Sequence, residues 1–183
     1  LVAIYTGHTK ARQTQNLAFS TDRGRTWAKY RGNPVVDLGL KDFRDPKVFW
    51  HEDTKRWVMV TVLPDQHKVR FFGSPDLRGW EALSDFGPAG ATGGVWECPD
   101  LFRLSVEGEP GVSRWVLDVD LNPGGAAGGA GGQYFVGRFD VSQWLLIRHE
   151  ATKAATGRVY GEGRVFTEDG TLVAAFHQDS MAR

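Results

Sequence analysis

Short apolar runs alternate with polar, turn-forming segments along most of the chain. Residues 1–6, 17–20, 47–50, 57–63, 69–73, 101–104, 115–119 and 133–139 are rich in Val, Leu, Phe, Trp and Tyr. Between them lie clusters of Gly, Pro, Asn and Asp, such as Asp22-Arg23-Gly24-Arg25 and Glu52-Asp53-Thr54-Lys55. Helical periodicity is scarce. The pattern predicts an all-β fold of short strands joined by turns.

An internal repeat sharpens that expectation. Arg44-Asp45-Pro46-Lys47-Val48-Phe49 lines up with Glu97-Cys98-Pro99-Asp100-Leu101-Phe102, 53 residues later. Each is followed by a turn and a strand opening with Trp-Val, at Trp57-Val58 and Trp115-Val116. Upstream lies a second matched pair, Phe19-Ser20-Thr21-Asp22 running to Trp27 and Gly73-Ser74-Pro75-Asp76 running to Trp80. A four-stranded unit repeating at this interval is the mark of a β-propeller blade. A β-sandwich would not explain a repeated polar-Pro-apolar-Phe strand start. Ser20-Thr21-Asp22-Arg23-Gly24-Arg25-Thr26-Trp27 fits the Asp-box pattern, in which the Asp bonds turn amides and the Trp is expected to pack between strands.

The first strand of a propeller blade lines the central channel, so the repeat aims Asp45 and Glu97 into one funnel. Two carboxylates facing one pocket suit glycoside hydrolysis, one as an acid and the other as stabilising negative charge. Arg44 is expected to keep Asp45 ionised and to add donors for sugar hydroxyls. Cys98, weakly polar, is expected to let the Glu97 pKa rise. On spacing alone the alternative stays open: a salt-bridged strand end at Arg44-Asp45 and a rim charge at Glu97.

Composition narrows the function classes. The 183 residues carry 22 basic and 22 acidic side chains, so no basic field exists to attract nucleic acid or an anionic membrane. The longest apolar stretch, residues 57–63, is too short to span a bilayer. The opening Leu1-Val2-Ala3-Ile4-Tyr5 reads as a strand and not as a signal peptide. A single cysteine, Cys98, excludes an internal disulfide and a cysteine metal cage. His8, His51, His67, His149 and His177 are scattered, so no metal is expected. The glycine-rich segment 123–132 lacks the Lys-Ser/Thr of a phosphate-binding loop and reads as a flexible rim loop.

Phe43-Arg44-Asp45-Pro46-Lys47-Val48 and Trp96-Glu97-Cys98-Pro99-Asp100-Leu101-Phe102 resemble the RDP and EC motifs of glycoside hydrolase family 32, which contains invertases, levanases and exo-inulinases. Asn16-Leu17-Ala18-Phe19-Ser20, Gly73-Ser74-Pro75-Asp76-Leu77, Asp118-Val119-Asp120-Leu121-Asn122 and Gln133-Tyr134-Phe135-Val136-Gly137 extend the resemblance over residues 1–139. It implies a partial five-bladed propeller of roughly two to three blades. It implies hydrolysis of terminal β-fructofuranosides in fructose-containing oligo- or polysaccharides, without a cofactor. Glu97 would be the acid/base and Asp45 the transition-state stabiliser, with Arg44, Asp120, Asn122 and Tyr134 lining the sugar site. The family's nucleophile, the Asp of a W-M-N-D-P-N-G motif, has no counterpart here. The 183 residues alone are therefore expected not to hydrolyse fructans, and open sheet edges are expected to favour self-association.

After residue 139 that resemblance stops. Residues 140–183 resemble the last part of an acyl-CoA thioesterase II, a double hot-dog protein. From the residues alone this tail reads as a strand, a bend and a hairpin closed at Glu168-Asp169-Gly170, and one more divergent propeller blade stays open as the alternative, since Leu172-Val173-Ala174 echoes Leu1-Val2-Ala3. The resemblance would make Thr152 and Gln178 two members of a water-positioning group. Three further functions follow from these readings: a non-catalytic fructosyl-binding module, a thioesterase-related protein and, from the Asp-box, a sialidase-like propeller.

Overall fold

The computed structural model describes residues 1–125, 128–141, 145–155, 158–167 and 172–181, with side chains up to residue 141. The chain forms successive antiparallel meanders. The first is β1 (Val2–His8), β2 (Gln13–Phe19) and β3 (Ala28–Lys29). The second has four strands, β4 (Arg44–His51), β5 (Arg56–Leu63), β6 (Lys68–Ser74) and β7 (Glu81–Phe86). The third is β8 (Val95–Ser105), β9 (Ser113–Asn122) and β10 (Gly131–Gly137), and the fourth is β11 (Leu145–Ala155), β12 (Arg158–Thr167) and β13 (Leu172–Met181). In every sheet, sequence neighbours pair.

The second sheet is packed on both faces, and its sequence shows why. In β5 the period of two sends Val60 and Val62 to one side, into a core with Val69, Phe71, Trp96, Leu101, Leu117, Val119 and Phe135. It sends Met59 and Leu63 to the other side, into a core with Val36, Phe43 and Phe72. The near-continuous run Trp57-Val58-Met59-Val60-Thr61-Val62-Leu63 is thus a strand buried on both faces. Each fully buried side chain of this size contributes about 1.5–3 kcal/mol through removal of apolar surface from water. Sheets stacked face to face, with β1 beside β4 and β4 beside β8, bring the first strands together.

Both turn markers fold as the repeat predicts. The Ser20 hydroxyl accepts the Gly24 amide at 2.8 Å, and Asp22 accepts the Thr26 amide and hydroxyl at 2.9 and 2.7 Å. In the next sheet Ser74 accepts the Leu77 amide at 2.9 Å and Asp76 accepts those of Arg78 and Gly79. The indoles match as well: Trp27 donates to the Gly24 carbonyl and Trp80 to the Leu77 carbonyl, each at 3.0 Å. Burial separates them. Trp80 packs on the core, whereas Trp27 is 46% exposed, contrary to the expectation that it packs between strands. Leu1, Val2 and Phe19, on or beside the same sheet, are exposed too.

The Thr26 amide and hydroxyl, and then the Ser20 hydroxyl, hold the Asp22 carboxyl down to about 2, from an ordinary value of 3.8. Between these values the unfolded chain binds a proton that the native turn does not. The stabilisation is therefore complete above about pH 4 and is lost as pH falls through 2. In Asp22→Asn the thermal midpoint is expected to change less across that window than in the wild type, as followed by circular dichroism.

Candidate active site

The repeated strand start has a repeated backbone. Asp45 and Cys98 both adopt left-handed conformations, with φ of 57° and 47°, and each precedes a proline. Both sit in ladder irregularities, one between Arg44 and Lys47 and one between Glu97 and Asp100. A bulge at a strand start re-aims the side chains beside it. Here it turns Arg44 and Asp45 of β4 toward Glu97 and Cys98 of β8.

These two strand starts touch each other residue for residue. Arg44 Nη2 donates to Glu97 Oε1 at 2.9 Å, the Cys98 amide donates to Asp45 Oδ2 at 3.0 Å, and Lys47 pairs with Asp100 at 2.7 Å. Each contact joins positions 53 apart, so the repeat period is also the pairing rule between adjacent sheets. Arg44 bonds Asp42 at 3.0 Å as well and lies 3.8 Å from Asp45 Oδ2. Asn122 Nδ2 donates to Glu97 Oε2 at 3.1 Å. Side-chain exposures of 19% for Arg44, 31% for Asp45 and 26% for Glu97 leave the group partly open to solvent.

The expected sugar-site residues are placed differently from one another. Asn122 lies on Glu97. Asp120 sits opposite Glu97 in the β8–β9 register. Tyr134 does not join them: it lines an apolar cleft of about 440 Å³ with Phe102, Leu104, Val116, Val136 and Asp118. A second cleft, of about 420 Å³ and lined by Arg103, Arg114, Trp115 and Arg138, also lies away from the carboxylates. Asp45 and Glu97 stand on a partly open rim. Partial desolvation first, and then the charges of Asp45, Asp120 and Glu97, raise the thiol of the exposed Cys98 above its ordinary range. Burial, Asp120 and Asp100 likewise raise the Asp118 carboxyl. The rim around Cys98 is therefore negative, with Asp45, Glu97 and Asp120 on it and Arg44 between the first two.

Asp42, Thr6 and Gln15 were not singled out by the sequence. Asp42 was findable as a carboxylate two residues before Arg44. Thr6 and Gln15 carry no motif, and the pairing of β1 with β2 together with the docking of β4 beside them places them near the site.

Gly94 holds Asn122 in range. A Cβ there would overlap the Pro123 carbonyl oxygen, with the Asn122 carbonyl carbon close by. Both are backbone atoms, so the turn after β9 must move to admit a methyl group. Gly94→Ala is expected to pull Asn122 off Glu97 and to lower the thermal midpoint measurably.

Stacked meanders whose first strands converge, with acidic groups at the strand starts, define a partial β-propeller with a charged funnel. The chain belongs to the glycosyl hydrolases family 32: the profile of that family's N-terminal domain matches residues 1–180. The levanase of Bacillus subtilis is 52% identical over 142 residues, a match covering 76% of this chain and 21% of the levanase. An extracellular exo-inulinase of Meyerozyma guilliermondii is 48% identical over 140 residues, covering 76% of this chain and 27% of that protein. The β-fructofuranosidase of Schwanniomyces occidentalis, solved with fructosyl-erythritol, superposes with a TM-score of 0.74 at 36% identity, covering 93% of this chain and 35% of that structure. The chain thus spans about a quarter of the length of these curated relatives.

The thioesterase reading of residues 140–183 finds no support. The family profile runs on to residue 180, and the backbone there is a further antiparallel meander. Thr152 falls at a register shift in β11, and Gln178 lies on β13 opposite Gly161. β12 separates them, and their side chains lie outside the described residues, as does the turn at Glu168-Asp169-Gly170.

Proposed function

We propose that these residues form the acid/base and charge-stabilising wall of a β-fructosidase site that grips a terminal fructosyl unit of levan, inulin or sucrose. The observation that carries this reading is the Arg44–Glu97 and Asp45–Cys98 contact pair, which fixes both carboxylates on one rim. Glu97 would protonate the glycosidic oxygen as the bond to the fructosyl carbon breaks and a nucleophile from outside these residues captures that carbon, and would then take a proton from the water that displaces the nucleophile. Asp45, anchored by the Cys98 amide, would face the positive charge that develops on the sugar ring. Arg44 and Asn122 orient Glu97 and offer donors to fructosyl hydroxyls.

Both carboxylates are occupied by these roles, and the 183 residues contain no W-M-N-D-P-N-G segment to supply an attacking group. These residues alone are expected to bind fructosyl units without turning them over. The test is fructose release from levan, inulin and sucrose. No release by the wild type is expected. Release that disappears in Glu97→Gln would show that the 183 residues are catalytically sufficient and sink the claim.

A further inference from the structure

We infer that Thr6 and Gln15, on the first sheet, are positioning residues that set Asp45 and, through it, the strand start that carries Glu97. The inference rests on the proposed reading of the Asp45–Glu97 rim as a fructosyl site.

Gln15 is fully buried, an unusual place for an uncharged polar side chain unless every group is paired. Its Nε2 donates to the Phe43 carbonyl at 2.9 Å, and its Oε1 accepts the Thr6 hydroxyl at 3.2 Å. The Thr6 oxygen in turn accepts the Asp45 amide at 3.1 Å. Gln13 completes the grip by accepting the Phe43 amide at 2.8 Å. Donors run in one direction, from the Asp45 amide to Thr6, from Thr6 to Gln15, and from Gln15 back to the Phe43 carbonyl. A continuous chain of this kind strengthens each bond in it.

What it holds is a strained position. Asp45 is a non-glycine residue at φ 57°, a conformation that persists only where surrounding contacts over-determine it. The same geometry recurs one sheet on. The Cys98 amide, also on a left-handed residue, is held by Asp45 Oδ2. Thr6 is therefore to Asp45 what Asp45 is to Cys98. A side-chain oxygen of β1 captures the bulge amide of β4, and one of β4 captures that of β8, giving a relay from Thr6 through Asp45 to the residue beside Glu97. Gln15, the cross-strand partner of Thr6 in β1–β2, fixes its first member.

The test uses the 183-residue chain labelled with nitrogen-15. The Cys98 amide proton reports the Asp45 carboxylate directly, so its chemical shift is followed against pH, and D-fructose affinity is measured alongside. Thr6→Val removes the acceptor with little change of shape, Thr6→Ser restores it, and Gln15→Met removes the lock on Thr6. In Thr6→Val the pH-dependent excursion of the Cys98 amide is expected to shrink by about half or more, and fructose affinity to fall by about tenfold. Thr6→Ser should recover both. A merely structural role would lower the melting temperature without a selective loss at Cys98. An unchanged Cys98 excursion in Thr6→Val would overturn the relay. If the wild type takes up no fructose, the fructosyl reading fails, while the amide titration still decides the relay. If Gln15→Met does not fold, the Thr6 pair decides it alone.

Discussion

Trp96→Ala is expected to remove about 3–5 kcal/mol of stability and to lower the thermal midpoint by about 6–20 °C. Trp96 is fully buried. It lies against Phe86, Phe135 and the His67 ring, with centroids 6.0–6.4 Å away. Its Nε1 donates to the Ala91 carbonyl at 3.0 Å. Truncation leaves a cavity where the second and third sheets meet and removes the indole donor from that carbonyl. Total stability for a domain is about 5–15 kcal/mol, so the variant should be marginal. Because Trp96 precedes Glu97, the same change should loosen the start of β8. Trp96→Phe should recover much of the packing but not the Ala91 bond. A midpoint unchanged in Trp96→Ala would mean that the two sheets do not share this core in solution.

Arg44→Leu is expected to weaken fructose binding by about 10–150-fold, the effect of losing hydrogen bonds to charged groups. Arg44 is the cation that joins Asp42, Asp45 and Glu97. Without it three carboxylates lose their shared cation, and among the described residues Glu97 keeps the Asn122 bond. Arg44→Lys separates charge from geometry. It should restore much of the stability, because a positive charge returns, but little of the affinity, because an ammonium cannot span two carboxylates as a planar fork does. Equal affinities for the Lys variant and the wild type would mean that Arg44 acts as a point charge alone.

Much of this was legible in the sequence. The 53-residue offset placed Arg44-Asp45 and Glu97-Cys98 on equivalent strands, and the structure brings them into contact at that spacing. The run Trp57–Leu63 read as a strand because β-branched residues fill it, and burial on both faces explains its lack of alternation. Other features were invisible for physical reasons. β7 is an edge strand of mixed character, fixed by the Arg70–Asp85 fork at 2.5 and 2.8 Å across to β6. A long-range ion pair leaves no local pattern. Thr6 and Gln15 look like ordinary strand residues until β1 pairs with β2 and β4 docks beside them. The similar markers ending at Trp27 and Trp80 concealed their difference in burial, because that depends on which sheet lies opposite. The tail misled because a strand-rich segment of weak similarity reads alike in unrelated β proteins.

Asp45 and Glu97, held by Arg44 and the Cys98 amide, are proposed to form one fructosyl-binding rim. Calorimetric titration of the 183-residue chain with D-fructose, run beside Asp45→Asn, tests that claim most directly. Saturable binding by the wild type is expected, with its loss in Asp45→Asn and folding preserved by near-ultraviolet circular dichroism. Equal binding by the two proteins, or none by a folded wild type, would contradict it.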